Sequence, residues 1–304
     1  MSAPSPARTP LIARLVALAL ALAPLSLRAQ SDGSGNTTAS WDISELLDRL
    51  PDFSPFGKLT EKTPFPVRLY VRPRVGDFVH RDYVRIPVGA KAKLTDNYEL
   101  HTELESYFTH GLKDTAGYGV SRYRLGGRYD VQRGSLHPIG YSTGFDFDTP
   151  LSRPPTELTD GHRHLLPYIT ASKMLVPDYN LVGYAGITLD FLSQTPLRAN
   201  FGHNQLHSNS VTFSSGITRD YKRFRVALTG TWGTTKLLSD ENHNVFALRP
   251  DVLIPLTKKP GPGARTHLLL IIGGEAVNGP DGTELGIDGS VRIEFAVQSG
   301  RNED

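Results

Sequence analysis

Hydrophobic and polar residues alternate along the segment from residue 84 to residue 108. Apolar side chains occupy nearly every second position on both sides of a polar turn, Thr95-Asp96-Asn97. Because successive side chains of a β-strand point to opposite faces, this period of two predicts a hairpin with one apolar face. The apolar positions are Val84, Ile86, Val88, Ala90, Ala92, Leu94, Tyr98, Leu100, Leu104 and Phe108.

The other face of this hairpin carries charges whose sign changes from strand to strand. The first strand is basic, the second is acidic, and the next predicted strand is basic again. Lys93 is predicted to lie opposite Glu99. Charges this dense imply water or mutual pairing, because a charge is expensive to bury in a dry core. The candidate lumen-lining residues are Arg85, Lys91, Lys93, Glu99, Glu103, Glu105, Arg122, Arg124 and Arg128.

The alternation recurs down most of the chain. Twelve runs are predicted to be strands: residues 67–74, 83–94, 98–108, 120–131, 139–148, 164–175, 180–192, 209–219, 222–233, 244–256, 265–276 and 284–298. Longer connections follow the odd-numbered runs and mostly shorter ones follow the even-numbered runs, as in bacterial outer-membrane barrels. The predicted fold is all-β, a closed antiparallel transmembrane β-barrel with a short N-terminal extension, apolar toward lipid and polar toward the lumen.

Two of these runs differ from the others. Residues 164–175 and 266–276 carry apolar side chains at both parities. Such a pattern predicts strands that are buried on both faces, for instance beneath the N-terminal segment.

The first 29 residues have the parts of a secretory signal peptide. Arg8 and Arg14 supply the positive region, residues 15–23 form the apolar core, and Leu27-Arg28-Ala29 is an acceptable cleavage site. The apolar stretch is too short to span a bilayer as a helix. We therefore expect export, cleavage before Gln30 and a location in the outer membrane.

The rest of the chain divides into three parts. Residues 30–66 are predicted to be a flexible segment with a short helix over 43–50, which either stays periplasmic or enters the barrel as a plug. Residues 67–298 form the barrel. Residues 299–304 are a polar tail, whereas outer-membrane barrels usually end on an aromatic residue. That departure leaves a soluble periplasmic barrel open as an alternative.

Composition excludes several kinds of chemistry. The chain has no cysteine, which rules out a lipoprotein anchor, thiol catalysis and cysteine-based zinc sites. Its formal net charge is only +2, so there is no electrostatic footprint for nucleic acid. We expect no cofactor. The expected partners are outer-membrane lipid, the barrel assembly machinery and small polar solutes.

Two polar clusters contain side-chain types that are found in reactive sites. Residues 202–210 resemble the His-x-Ser-Asn element of outer-membrane phospholipases and lipid A deacylases, but His207 and Ser208 are adjacent. On a strand they would point to opposite faces, too far apart for a nucleophile and its base. Asp146 and Asp148, with His162 and His164, have the ligand types for a divalent metal at the barrel mouth. Solvated rim residues explain them as well. We predict no catalytic residue and no metal site.

The hairpin Ile86–Leu104, IPVGAKAKLTDNYELHTEL, resembles hairpins of Gram-negative outer-membrane barrels. Among these it is most similar to porins associated with aromatic-compound degradation. The resemblance implies transport rather than catalysis. The favoured prediction is a passive channel for small polar or ionic solutes. A structural or adhesive barrel with a closed lumen, and a membrane-embedded lipid hydrolase, remain the alternatives.

Overall fold

The computed structural model describes residues 67–78, 83–95, 97–109, 118–131, 138–151, 160–197, 204–257 and 266–297. The predicted signal peptide, the segment 30–66 and the polar tail lie outside these residues. Thirteen strands, β1 to β13, follow one another in the chain: Val67–Val71, Arg74–Phe78, Tyr83–Lys93, Tyr98–Thr109, Tyr118–Val131, Ile139–Pro150, Arg163–Val176, Leu181–Ser193, Ser210–Asp220, Arg225–Thr234, Asn244–Pro255, Thr266–Gly279 and Gly282–Val297. In the described part of the chain, no helix has the length and apolar character needed to cross a membrane.

The strands form one closed antiparallel barrel. From β3 to β13 each strand pairs with the next one in the chain. Both β1 and β2 pair with β13 on one side and with β3 on the other, and this closes the sheet. Thirteen strand segments therefore fill twelve positions around the barrel, and the predicted fold is confirmed.

The first predicted run, residues 67–74, is not one continuous strand. It is interrupted at Arg72-Pro73, and the chain then continues as β2. Proline has no N–H to donate to a sheet ladder. Backbone bonds on both sides bridge the interruption: Arg72 N donates to Pro87 O at 2.9 Å, and Val291 N donates to Pro73 O at 3.1 Å.

The two faces of the barrel have opposite chemistry. The central β3–β4 pair Val88 and Leu104 points outward, with 46% and 42% of their surface exposed. Lys93 lies opposite Glu99, as predicted, and its strand face points into the barrel. An apolar exterior around a charged interior is the arrangement of a transmembrane β-barrel, so the molecule is a barrel of the outer-membrane type.

The two ambiguous runs alternate in the same way as the others. In β7, Leu165 and Ile169 are exposed, whereas Leu166 and Tyr168 point inward and are buried. In β12, Ile272 is exposed and its neighbour Ile271 is buried. The prediction that these strands are buried on both faces is therefore wrong. Apolar residues occur at inward-facing positions as well because this part of the lumen wall contains both apolar and polar side chains.

The connections define two ends of the barrel. We call the end with the tight links 94–97, 177–180 and 221–224 the turn end, and the opposite end the loop end. The last connection at the loop end departs from the prediction of a longer link over 277–283. Gly279 pairs with Gly282, which leaves only Pro280 and Asp281 in the turn. Gly282 has φ 108°, a conformation that glycine accepts without strain.

Candidate functional site

All nine predicted lumen residues occupy strand positions that face the interior of the barrel. Glu99, Glu103, Glu105 and Arg124 are buried there, and the other five are partly exposed. Their faces follow from the parity already visible in the sequence. Their partners do not, because parity gives the face of a side chain but not the register between neighbouring strands.

Glu105 on β4 is the centre of the first ion-pair cluster. Arg122 Nη2 lies 3.3 Å from its Oε2, and Arg85 Nη1 lies 4.0 Å from its Oε1. Ser121 Oγ donates to the same carboxylate at 2.8 Å. Arg122 also reaches Asp148 on β6 at 3.1 Å. Four consecutive strands, β3 to β6, thus present basic, acidic, basic and acidic side chains that interlock.

Further pairs continue this wall. Arg124 binds Asp148 at 3.1 Å, beside the Glu105 cluster. Arg128 lies 3.5 Å from Glu99 and 2.8 Å from Asp130 on its own strand. The predicted basic and acidic stripes therefore pair extensively.

A second cluster, centred on Arg249, lies on β11 to β13. The Arg249 guanidinium lies 3.1 Å from Asp251, 3.7 Å from Glu275 and 2.7 Å from Asp288. Arg74 also binds Asp288, at 3.0 Å, and so joins this cluster to the strand that closes the barrel. The sequence analysis missed this cluster as a site. Its signal was the shared parity of Arg249 and Asp251, and such a pattern does not show that Arg249 meets carboxylates of two other strands.

Glycines on intervening strands let long lumen side chains lie flat against the wall. Tyr70 passes over Gly89 and donates its hydroxyl to Glu103 at 2.8 Å. His101 passes over Gly126 and places Nε2 2.7 Å from Asp146 Oδ1. A Cβ at either glycine would collide with these groups. We call such three-strand arrangements glycine-spaced rungs. Tyr184 makes another, over Gly216 to Thr229.

Two cavities lie among these side chains. The inner cavity measures about 50 Å³ and is lined by, among others, Tyr70, Lys91, Glu103, Arg124, Asp146 and Tyr168. The mouth cavity lies near the loop end and measures about 90 Å³. Its lining includes Asp160, His164, Asp190, Thr212, Glu275 and Val277. Polar cavities of this size have room for several water molecules.

His164 joins two carboxylates at the mouth. Its Nε2 lies 3.0 Å from Asp160 and its Nδ1 lies 3.0 Å from Asp190. Asp160 precedes β7 and lies outside the strands. Burial alone would raise the pKa of Asp160, but hydrogen bonds from the His164 ring and the His162 backbone N–H outweigh it, so the pKa is lowered.

The residues considered for a metal site are engaged elsewhere. Asp146 contacts His101, Asp148 contacts two arginines, and His164 contacts Asp160 and Asp190. Within the described ranges, no group of three or more His, Cys, Asp or Glu side chains is arranged to hold a metal ion.

The residues considered for a hydrolase lie at the loop end. The rings of His207 and His243 meet edge to face, with centroids 5.3 Å apart. Ser208 precedes β9. Ser210 is the first residue of β9 and is buried. The absence of a catalytic role for these residues stays a prediction.

Comparisons with known proteins give likeness of structure only. No family model matches the chain, and no curated protein matches it in sequence. An outer-membrane channel from Pseudomonas putida F1 is similar at 11% identity and TM-score 0.49, covering 77% of this chain and 97% of that one. The NanC porin is similar at 10% identity and TM-score 0.48, covering 75% and 100%. The KdgM porin is similar at 9% identity and TM-score 0.45, covering 76% and 99%. With TM-scores below 0.5, these likenesses carry no part of the functional proposal.

Proposed function

We propose that the barrel is a narrow, water-filled channel that passes small polar or ionic solutes across the outer membrane by diffusion. The supporting observation is that charged side chains of the lumen retain accessible surface inside the barrel. The side chains of Arg122 and Arg85 are 24% and 23% accessible, and those of His164 and Asp190 are 21% and 20% accessible. Because full desolvation costs several kcal/mol per ion, this surface is expected to be hydrated.

The glycine-spaced rungs support the same proposal. A tyrosine or histidine that lies along the wall leaves the axis of the barrel clear, whereas one that projects inward would fill it. Twelve-stranded barrels lie between eight-stranded ones, which side chains fill, and sixteen-stranded porins, which hold an aqueous channel. The placement of side chains therefore decides the width of the lumen more than the strand number does.

A closed structural barrel is the second candidate, and the Arg249 cluster favours it. The Arg249 side chain is only 4% accessible, and its three carboxylate neighbours are 0 to 5% accessible. Such a cluster behaves like a buried ion-pair network, in which loss of one partner costs about 3–5 kcal/mol. If the whole lumen behaved in this way, it would hold the strands together and conduct nothing.

Ion selectivity of variants in planar lipid bilayers separates the two candidates. Arg122→Gln removes one positive lumen charge but leaves each of its carboxylates a partner: Arg85 and Ser121 for Glu105, and Arg124 for Asp148. We expect the wild type to conduct and Arg122→Gln to shift the reversal potential under a KCl gradient toward cation preference. The free energy of unfolding should change by only about 0–1 kcal/mol, because Arg122 is partly exposed and each of its carboxylates keeps another partner.

Arg219→Gln is the matched control for charge. Arg219 lies on the outward parity of β9, near Tyr179 and Tyr221, so its loss should leave the reversal potential unchanged. The channel proposal is abandoned if the folded wild type shows no conductance and Arg122→Gln loses about 3–5 kcal/mol of stability, the cost expected of a dry network.

A further inference from the structure

A short segment that precedes β9 is hydrogen-bonded to the β12–β13 turn at the mouth of the barrel. We call residues 204–209 the mouth strap. Asn204 N donates to Asp281 Oδ2 at 2.9 Å, and Asp281 N donates to Asn204 Oδ1 at 3.1 Å. Asn204 Nδ2 also donates to Gly282 O at 3.3 Å. These three bonds tie the strap to the β12–β13 turn.

The backbone around this clamp is shaped to form it. Asn204 has φ 54°, in the left-handed region that asparagine accepts more readily than most residues. The side chain of Asn204 lies where a Cβ on Gly279 would be, so only glycine leaves space for it there. Asn204 is only 4% exposed. An ordinary surface loop would satisfy these polar groups with water instead.

The strap crosses two strands between its ends. At one end, Leu192 N on β8 donates to Asn209 Oδ1 at 2.9 Å. Leu206 then packs over β10, where a Cβ on Gly233 would lie 2.9 Å from its Cδ1. At the other end, Asp281 follows β12. In the order of the barrel, β10 and β11 lie between β9, into which the strap leads, and β12, so the strap passes across their loop-end region.

The mouth cavity lies beside the strap. Asn204, Gln205 and Leu206 line it together with wall residues such as Asp190 and Thr212. A solute that enters from the loop end on this side would meet these strap residues and the Asp160–His164–Asp190 group together.

We propose that the mouth strap is a constriction that controls solute access to the lumen, with Asn204 and Asp281 as its positioning residues. This inference rests on the proposed channel function, because a constriction matters only if solutes pass. Leu206 and Gln205 form the strap side of the opening, and the acidic mouth residues form the wall side.

Thiol accessibility tests the strap without requiring conduction. Because the chain has no cysteine, Thr212→Cys gives a single reactive thiol in the mouth cavity, at a position only 7% exposed. We expect a charged methanethiosulfonate reagent to modify it slowly in the detergent-folded barrel. Adding Asn204→Ala removes the two side-chain hydrogen bonds of the clamp. It should raise the rate about thirtyfold, about fivefold for each bond lost from the closed state.

Two controls make the labelling result specific. Asp281→Asn keeps an acceptor oxygen for Asn204 N, so its effect on the Thr212→Cys rate should be far smaller than that of Asp281→Ala. Leu94→Cys lies at the turn end and outside the lumen, at a position 62% exposed, so its rate should not respond to Asn204→Ala. Heat-modifiable gel mobility identifies variants that have not folded. An unchanged Thr212→Cys rate in folded Asn204→Ala and Asp281→Ala would overturn the strap proposal.

Single-channel conductance then tests what the strap does. If it is a constriction, Asn204→Ala should increase conductance, and Asp281→Ala should increase it by a similar factor. If labelling is faster in the variants but neither the wild type nor the variants conduct, the strap opens as proposed and the channel function is wrong. Faster labelling with conductance that does not change would show that the narrowest point lies elsewhere and would overturn the constriction.

Discussion

Glycine has a specific role in the lumen wall at the scale of single residues. The inward-facing glycines of the rungs have neighbouring side chains where a Cβ would be, whereas a Cβ on several outward-facing ones would make only ordinary van der Waals contacts. Gly274 on β12 is an example of the second kind, with its nearest atom 3.6 Å from a Cβ position. The same residue type therefore permits close approach inside the barrel and serves no packing purpose at such outer positions.

Substitution of one glycine from each group tests this difference. Gly126→Ala should force His101 and Asp146 apart, and overpacking of this kind typically costs about 1–3 kcal/mol. Gly274→Ala should be neutral or stabilising by about 0.4–1 kcal/mol, because alanine has less freedom in the unfolded chain. Urea unfolding of both variants in the same detergent measures the difference. Equal effects from the two would contradict the rung interpretation.

Asp160 gives the mouth a defined dependence on pH. Its carboxyl has a lowered pKa in the folded protein, so it stabilises the fold at pH above its unfolded pKa of about 3.9. That contribution is lost as the pH falls through the folded value. Asp160→Asn should therefore be less stable than wild type at pH 6, and the difference should shrink as the pH falls below about 3.9.

Urea unfolding across this pH range measures the effect. Asp240→Asn, in the exposed β10–β11 connection, is the control and should show no such dependence. A stability difference between Asp160→Asn and wild type that does not shrink as the pH falls below about 3.9 would show that packing, and not charge, is responsible.

Strand parity fixes the environment of each side chain at the scale of elements. Val88 and Leu104 face each other near the middle of β3 and β4, where we expect the surrounding medium to be hydrocarbon. An arginine at this depth should cost about 2–4 kcal/mol. Leu94 lies beyond the end of β3 and is 62% exposed, so Leu94→Arg should cost only about 0–1 kcal/mol.

Unfolding in phospholipid vesicles compares these three variants directly. The expected order places Val88→Arg and Leu104→Arg well below Leu94→Arg in stability. If all three keep the stability of the wild type, the barrel exterior does not contact lipid.

Much of the fold could be predicted from the sequence, because parity is a local property. The β3–β4 hairpin has its predicted faces and its predicted Lys93–Glu99 register. The interruption at Arg72-Pro73 was missed because extended backbone on both sides of a proline has the same alternation as one strand. The short β12–β13 turn was missed because Gly and Pro residues indicate a loop without giving its length.

The candidate site could be predicted only in part. The inward face of Arg122 follows from parity, but its contact with Asp148 depends on which strands become neighbours. The contact between Tyr70 and Glu103 is still less visible, since the two residues lie 33 apart and meet over a glycine of another strand. Such contacts depend on the register between neighbouring strands, and alternation within one strand contains no information about register.

At the scale of the whole molecule, the ion pairs on two parts of the lumen wall differ in solvent accessibility. The wall around β4 to β6 has ion pairs with accessible surface, whereas the side chains of the Arg249 cluster on β11 to β13 are almost fully buried. This division gives each wall a separate expected response to substitution. Neutralising Arg122 should change selectivity, whereas neutralising Arg249 should cost about 3–5 kcal/mol of stability.

The closure of the barrel between its first and last strands has a consequence for the order of assembly. Arg68 and Glu294 are 226 residues apart in the chain and only 3.1 Å apart in the structure. The other ladders, from β3 through to β13, join strands that are consecutive in the sequence and can form one hairpin at a time. Until the final strand arrives, the growing sheet has two unpaired edges. In hydrocarbon each unpaired backbone group costs several kcal/mol, so a chain lacking β13 has no stable membrane form, and its synthesis must finish before it can be inserted.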